Sequence, residues 1–499
     1  TERLTTPLIK SDSGLVQSSW SVALDSAARI IRHALTNNAD SVAILGGARG
    51  TNEDAFAWAM LADELKINQR DSQLGDGLTP EIFNLAQATI DETCAASTII
   101  LLAPDLKEEL PVLYLRLRDA SEKKRSKLIE FVPKQTGLTR YAWKSASYEP
   151  GRQVSVIQQT LTDPAVATQI AQGSVVVVVG RSNLAEDDSF TMAALDAVLA
   201  IAPQATVLPV VRRGNIRGAV ETGLVTGSTN SILQSAIAGE INCLVLVGAD
   251  PMNDVPDSHL VRQALAAVPK IIAVDTTMSP SLQRSEVVLP AAAFGEKDGT
   301  TTNLEGRVTQ LNRKVNARGT SRPDWMIAVE LGELLGHDLG LGSVQEIHSQ
   351  LARNVASFAD VSRAALAVNP DGILLRRSLT HAHSEAAAEV PVHSGFGYRL
   401  VVSRKLYDNG TNVAQSPSLV GLAPSSALHM HPLDFSSLGV DEGTSIKVSN
   451  HRTSIVMPVV MDDSVVRGTV WAAWALTGAN IGELIDSSRL VNDVNVETL

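Results

Sequence analysis

Between Ser285 and Val308 the chain reads SEVVLPAAAFGEKDGTTTNLEGRV. Glu296, Lys297, Asp298, Asn303, Glu305 and Arg307 stand here between Gly295, Gly299 and Gly306, with threonines at 300 to 302. Carboxylates, an ammonium, a guanidinium and hydroxyls at this density can surround a large polar ligand, and the glycines let the backbone bend around it. The same groups can equally knit two chain segments together through hydrogen bonds. Spacing leaves both readings open.

Three other stretches carry chemistry. Gly46-Gly47-Ala48-Arg49-Gly50-Thr51 joins an apolar run to a helical pattern beginning at Asn52. Free backbone N–H groups at such a turn cradle phosphate, although the pattern matches neither G-x-G-x-x-G nor a P-loop and also suits a close strand-to-helix turn. Arg212, Arg213 and Arg217 surround Asn215; their guanidiniums fit phosphates or partner carboxylates. Asp250 and Asp275 follow the apolar runs 244–247 and 270–274, at strand carboxyl ends, where doubly wound sheets bind ligands. An acidic residue there suits ribose or guanine, or simply caps a helix.

Metal chemistry has few candidates. The two cysteines, Cys94 and Cys243, cannot supply the four thiolates of an iron–sulfur cluster, and both adjoin apolar segments as buried free thiols do. Ser72 is an oxygen ligand in principle and a turn serine by type. His381 and His383, with His393 beyond, have no carboxylate or cysteine at ligand spacing.

The elements that must position these residues are predicted as follows. A helix capped at Ser19 or Ser21 carries apolar residues from Ala23 to Leu35. A strand spans 41–45 and a helix 52–65, with Asn52 as cap. Further along come a helix over 80–96, strands over 98–103 and 127–132, and a polar loop over 137–150. Five consecutive valines, 175–179, read as a parallel strand buried on both faces. After Tyr398 strands joined by glycine turns replace the helices. Aromatics make up 4% of the 499 residues, which favours α/β layers with small side chains at the contacts. The formal net charge of −12 gives no electrostatic case for nucleic acid or an anionic membrane. No apolar run approaches the ~20 residues of a membrane helix. No signal peptide is visible, and the start at Thr1 without Met reads as an excised piece.

The order strand, LPAA, E-K-x-G-T-x-x-N-x-E-G-R resembles the molybdopterin oxidoreductase superfamily. Its E-G-R form is most similar to the large iron–sulfur subunit, known as the G subunit, of bacterial NADH:quinone oxidoreductase (respiratory complex I). GARGTNED, ILLAPDLKEELPVLYLRLRDA, N-x-R-G-A, G-A-D-P-M, V-D-T-T-M-S, SRPDWMIAVELGELLG and MHPLDFSSLGVDEGTSIKVSN are similar to the family in the same order, from Trp20 to Glu497.

The resemblance implies an α/β fold: interleaved doubly wound α/β domains of the molybdopterin oxidoreductase type with a C-terminal β-barrel. Residues 1–75 plus 151–336 would form one discontinuous α/β domain and 76–150 an inserted one. Residues 337–395 would be a helical segment and connector, and 396–499 the barrel. Catalytic family members present Cys, selenocysteine or Ser to molybdenum close after residue 71, where this chain offers only Ser72. The implied role is therefore a scaffold with no catalytic residue, no metal and no cofactor of its own, the iron–sulfur clusters belonging to an N-terminal part outside this sequence. Gly47, Arg49, Asn215, Glu296, Asp298 and Asn303 are the residues placed on a vestigial pterin cleft. The implied partners are other peripheral-arm subunits, without nucleic acid and without direct membrane insertion, on the cytoplasmic face of the cell membrane. The alternative is a formate-dehydrogenase-type enzyme holding molybdopterin guanine dinucleotide, with Ser72 as ligand.

Overall fold

The structure is a computed structural model describing residues 3–36, 38–376 and 397–499; His381, His383, His393 and the connector beyond 376 lie outside the described residues. The chain forms two compact units: Thr1–Gly75 with Val211–Val255 and Leu260–Arg377, and Asp76–Val210 with Pro256–His259 and Ser378–Leu499. In chain order the strands of the two α/β sheets are β1 (Leu8–Ser11), β2 (Gly14–Gln17), β3 (Val42–Gly46), β4 (Gln69–Asp71), β5 (Thr98–Leu102), β6 (Lys127–Val132), β7 (Lys144–Ser147), β8 (Val175–Val179), β9 (Thr206–Pro209), β10 (Cys243–Val247), β11 (Lys270–Asp275) and β12 (Val287–Pro290).

The first unit holds the sheet β2-β1-β12-β11-β10-β3-β4. From β12 to β4 the strands are parallel, and β1 joins antiparallel through Leu8 and Val288. β3 and β10 are buried along their whole length, which is why they read as unbroken apolar runs and not as alternation. Helix α1 (Trp20–Leu35) begins where Ser19 Oγ accepts from the Val22 N–H, and it buries Ala23, Leu24, Ala27, Ala28, Ile31 and Ala34. Helix α2 (Asn52–Glu64) starts with a reciprocal Thr51–Asp54 capping box, worth about 1 kcal/mol for such a cap. Around it Phe56, Trp58 and Leu61 share one apolar core with Ile44, Ile327, Leu331 and Phe358. The polar stretch after β12 becomes an antiparallel hairpin, β13 (Gly299–Thr302) and β14 (Arg307–Leu311), extended by β15 (Ile373–Leu374).

The second unit holds an all-parallel sheet of order β7-β6-β5-β8-β9. The valine run is β8, an interior strand between β5 and β9, fully buried, with each such side chain contributing roughly 1.5–3 kcal/mol. The sequence expectation grouped 151–336 with the first sheet, whereas β8 and β9 pair in the second. A strand buried on both faces carries no pattern that tells one sheet from another. β7 forms inside the stretch expected to be a polar loop, as a short edge strand paired, among the described residues, to β6 alone.

The C-terminal part of the same unit is a closed barrel, β16 (Tyr398–Ser403), β17 (Leu428–Met430), β18 (Ser445–Ser449), β19 (Ser454–Met461), β20 (Thr469–Ala473) and β21 (Asp493–Thr498), ordered β16-β20-β17-β19-β18-β21. Alternate residues fill it: Leu400 and Val402, Ile446 and Val448, Met457 and Val459, Val470 and Ala472. The Asn183 amide accepts from Val402 N–H at 2.9 Å and donates to Leu400 O at 3.2 Å, fastening the loop after β8 to the barrel. Among the described residues no helix is long and apolar enough to cross a membrane.

Candidate functional site at the carboxyl ends of the first sheet

The loops after β3, β4, β10 and β11 meet at one edge of the first sheet. The β3–α2 turn needs its glycines for packing. A Cβ on Gly46 would lie 2.0 Å from Val247 O, and one on Gly47 would lie 2.4 Å from Leu224 Cδ2. The turn's N–H groups are largely used inside the protein: Gly47 donates to Val247 O (2.7 Å), Gly50 to Gly47 O (3.1 Å) and Thr51 to Asp54 Oδ2 (2.8 Å). This is the close strand-to-helix turn rather than an open phosphate cradle.

Arg49 crosses from that turn to donate to Gly248 O and to Asp254 Oδ1, both at 2.7 Å. Arg213 stands 3.7 Å from the same Asp254 oxygen and donates to Gln73 O at 2.7 Å. Burial would raise the Asp254 carboxyl, but the two guanidiniums outweigh it and hold the group well below the usual carboxylate range. Arg213 itself has φ 75°, and Leu74, the residue after Gln73, has φ 55°, a left-handed backbone that ordinary side chains rarely adopt. Asp275, at the end of β11, is pushed up to about 6 by burial, although the Thr276 N–H donates to it.

The Glu296–Arg307 stretch is the other half of the site, and it is a buried network. Lys297 Nζ sits 2.6 Å from Asp54 and also contacts Asp324. Burial would lower its pKa, but the two carboxylates dominate and keep it charged. Glu53 accepts from the Thr300 N–H (2.7 Å) and hydroxyl (2.9 Å), and lies 2.9 Å from His348 Nδ1. Asn52 donates to Thr300 Oγ1 and accepts from the Thr302 hydroxyl, and Asn215 Oδ1 accepts from the Thr302 N–H at 2.7 Å. Of the two readings left open by spacing, the polar residues here serve mainly the internal one.

The six residues singled out from sequence fall into separate groups. Gly47 and Arg49 lie in the β3–α2 turn. Asn215 joins the threonine network, and its Nδ2 is a buried donor with no hydrogen-bond partner among the described residues. Glu296 is held by Arg3 at 2.9 Å and is shifted down: burial opposes the shift, and Arg3 with the Ala293 N–H prevails. Asp298 is exposed and accepts from the Arg313 N–H. Asn303 shapes its own turn, accepting from the Glu305 and Arg307 N–H groups. Sequence reasoning missed Asn52, Glu53 and His348 as the receivers of this stretch. The signal was Asn-Glu-Asp opening a helix whose next residues, Ala55 to Ala59, are apolar and buried.

Metal ligation by the protein does not fit these residues. Ser72 is fully buried and its hydroxyl donates to Gly46 O at 2.5 Å. Cys243 stands at the amino end of β10, away from the strand-end loops, with its thiol pushed up to about 12 by burial. Cys94 lies in the second unit, in the helix Ile90–Ala95. No group of three or more His, Cys, Asp or Glu able to hold a metal occurs among the described residues.

Comparison with known proteins places this architecture. The molybdopterin oxidoreductase family model matches residues 3–334, and the model of the molydopterin dinucleotide binding domain matches residues 398–494. NADPH-Fe(3+) oxidoreductase subunit alpha of Geobacter sulfurreducens is 23% identical, over 99% of this chain and 68% of its own length. F420-dependent formate dehydrogenase 1 subunit alpha of Methanococcus maripaludis is also 23% identical, over 96% of this chain and 88% of its own. The G subunit of the NADH-quinone oxidoreductase of Mycobacterium tuberculosis is 25% identical over 96% of this chain, which spans 62% of that protein's length. Acetylene hydratase from Pelobacter acetylenicus shares the fold, with a TM-score of 0.72 at 12% identity over all of this chain and 92% of its own. With two thirds of its residues matched by the one model and the barrel by the other, the chain belongs to the molybdopterin oxidoreductase family.

Proposed function

We propose that this chain is the molybdopterin-oxidoreductase-like scaffold of the large iron–sulfur subunit of an NADH:quinone oxidoreductase, working without a molybdenum cofactor. The observation that carries this reading is Ser72, whose hydroxyl is turned into the Gly46 carbonyl at the place where the family resemblance would put a metal ligand. The internal use of Lys297, Thr300 and Thr302 supports it, as does the NADH-quinone oxidoreductase relative from Mycobacterium tuberculosis. Electron transfer then belongs to iron–sulfur clusters outside these residues. The scaffold holds that cluster-bearing part and the neighbouring peripheral-arm subunits together, on the cytoplasmic face of the membrane and without inserting into it.

The test is elemental analysis of the native assembly purified through this chain. The expected result is co-purification with an NADH-oxidising activity and only substoichiometric molybdenum and tungsten. One molybdenum or tungsten atom per chain sinks the reading.

A second reading is favoured by the orphaned Asn215 Nδ2, a buried donor of the kind a ligand acceptor would satisfy. The chain would then hold molybdopterin guanine dinucleotide as a formate-dehydrogenase-type enzyme, like the Methanococcus relative by name. Formate-dependent dye reduction by the purified assembly would establish it.

A further inference from the structure

The second unit carries a basic, aromatic surface that no step above uses. Between Arg116 and Lys144 the sequence has nine lysines and arginines against three carboxylates, in a chain whose formal charge is −12. One of the three carboxylates, Glu130, is buried. Arg116 pairs with Asp91 and Lys134 with Asp462; the fold gathers the other cations from the end of the helix Pro111–Glu122, the start of β6, the turn Thr139–Tyr141 and the start of β7. Lys123, Lys124, Arg125, Lys127 and Arg140 are exposed.

Two half-buried rings organise the patch. Lys127 Nζ lies 4.3 Å from the centre of the Trp143 ring, and Lys144 Nζ lies 5.9 Å from it. Arg140 and Arg118 approach the Tyr141 ring at 4.7 and 5.8 Å. Cation–π contact fixes long side chains that would otherwise move freely in solvent. The cations therefore present a defined array beside the edge strand β7, which has no second strand partner among the described residues.

We infer that this face docks a carboxylate-rich, extended segment of a partner protein. Three observations select that occupant. First, carboxylates already fit here: Asp119 pairs with Lys123 and Arg125 at 2.7 Å, and Glu122 pairs with Arg118 at 3.4 Å. Second, the rings each have two of the protein's own cations within 6 Å, so a nucleobase would have to displace them in order to stack. Third, the backbone of β7 has no second strand partner among the described residues, and an extended peptide can pair with it where an oligonucleotide or a bilayer cannot. The edge strand adds main-chain hydrogen bonds for a partner in extended conformation. The inference stands independently of whether the first unit holds a cofactor.

The experiment uses the full chain and three probes: a fluorescent 15-residue poly-glutamate peptide, a 15-nucleotide oligothymidylate and phosphatidylserine vesicles. The peptide should bind, weaken as salt rises, and lose at least tenfold in affinity in the double variant Lys124→Glu/Arg140→Glu. Trp143→Phe, which keeps a ring for the cations, should retain most of the affinity, and Trp143→Ala should lose it. Thermal melting of every variant separates lost binding from lost folding. If a variant melts early, Lys124→Glu alone serves as the readout. No peptide binding, equal binding by the folded charge-reversed variant, or stronger binding of the oligonucleotide or vesicles overturns the inference.

Discussion

Lys297 joins Asp54, in the first turn of α2, to Asp324, in the first turn of the helix Asp324–Leu335, through one buried ammonium. Lys297→Met removes the cation and leaves two buried carboxylates facing each other. The expected cost is about 3–5 kcal/mol, read as a lower denaturation midpoint in urea. Adding Asp324→Asn to that variant should restore part of the loss. An unchanged midpoint in Lys297→Met would show that the ammonium is not needed.

Gly218 lies where α2 and the Asn215 turn come closest. A Cβ there would be 2.0 Å from Asn52 Oδ1 and 2.3 Å from Asn215 Oδ1. Gly218→Ala should destabilise by about 1–3 kcal/mol through forced displacement of both amides. Gly214→Ala, where nothing lies within 4 Å, is the matched control and should stay within about 0.5 kcal/mol of the parent. Equal melting of the two variants would contradict the close approach.

Glu186, in the loop after β8, has its carboxyl pushed up from an ordinary 4.5 to about 8 by burial, with Arg181, Asn183 and Gln153 only partly opposing. The folded chain thus keeps a proton that the unfolded chain releases between those two values. Stability falls as pH rises across that window, because the folded state binds more protons. Glu186→Gln removes the titration, so its melting temperature should change less between pH 5 and pH 8 than the parent's. A variant that loses as much as the parent over that range would refute the assignment.

Arg307 marks the rim of the hairpin network. Its side chain is partly exposed, and Nε donates to Glu305 Oε1 at 2.7 Å, while Glu305 is buried. Arg307→Ala leaves that carboxylate without its guanidinium and should cost about 1–3 kcal/mol in thermal or urea unfolding. Melting at the parent's temperature would make Arg307 a surface residue only.

Much of this architecture was legible where side-chain period and punctuation agree. The serines at 19 and 21 announced the start of α1, the valine run announced β8, and the glycine-turn strands after Tyr398, with the family resemblance, announced a barrel. Other features were hidden for physical reasons. The helix expected over 80–96 is a short 3-10 turn, Pro80–Asn84, followed by the helix Ile90–Ala95 capped at Thr89, because two apolar turns in series imitate one longer helix. Residues 8–17 form the β1–β2 hairpin, whose edge position keeps it polar. Thr51 caps α2 in place of Asn52, since the Asn52 amide is drawn off to Thr300 and Thr302. In the candidate site, residue types were readable but pairing was not. Nothing in the spacing of Glu53 and Thr300 says that they meet, and His348 completes the contact from a third segment.

The hairpin that satisfies Asn52 and Glu53 is encoded far downstream of them. On the ribosome, at ~5–20 residues per second, α2 waits on the order of tens of seconds before its polar partners emerge. Until then the nascent chain carries Trp58 and Phe56 beside uncompensated carboxylates, with no completed core to receive them. The core around α2 is therefore completed late in synthesis, by residues some 250 positions downstream of the helix it encloses.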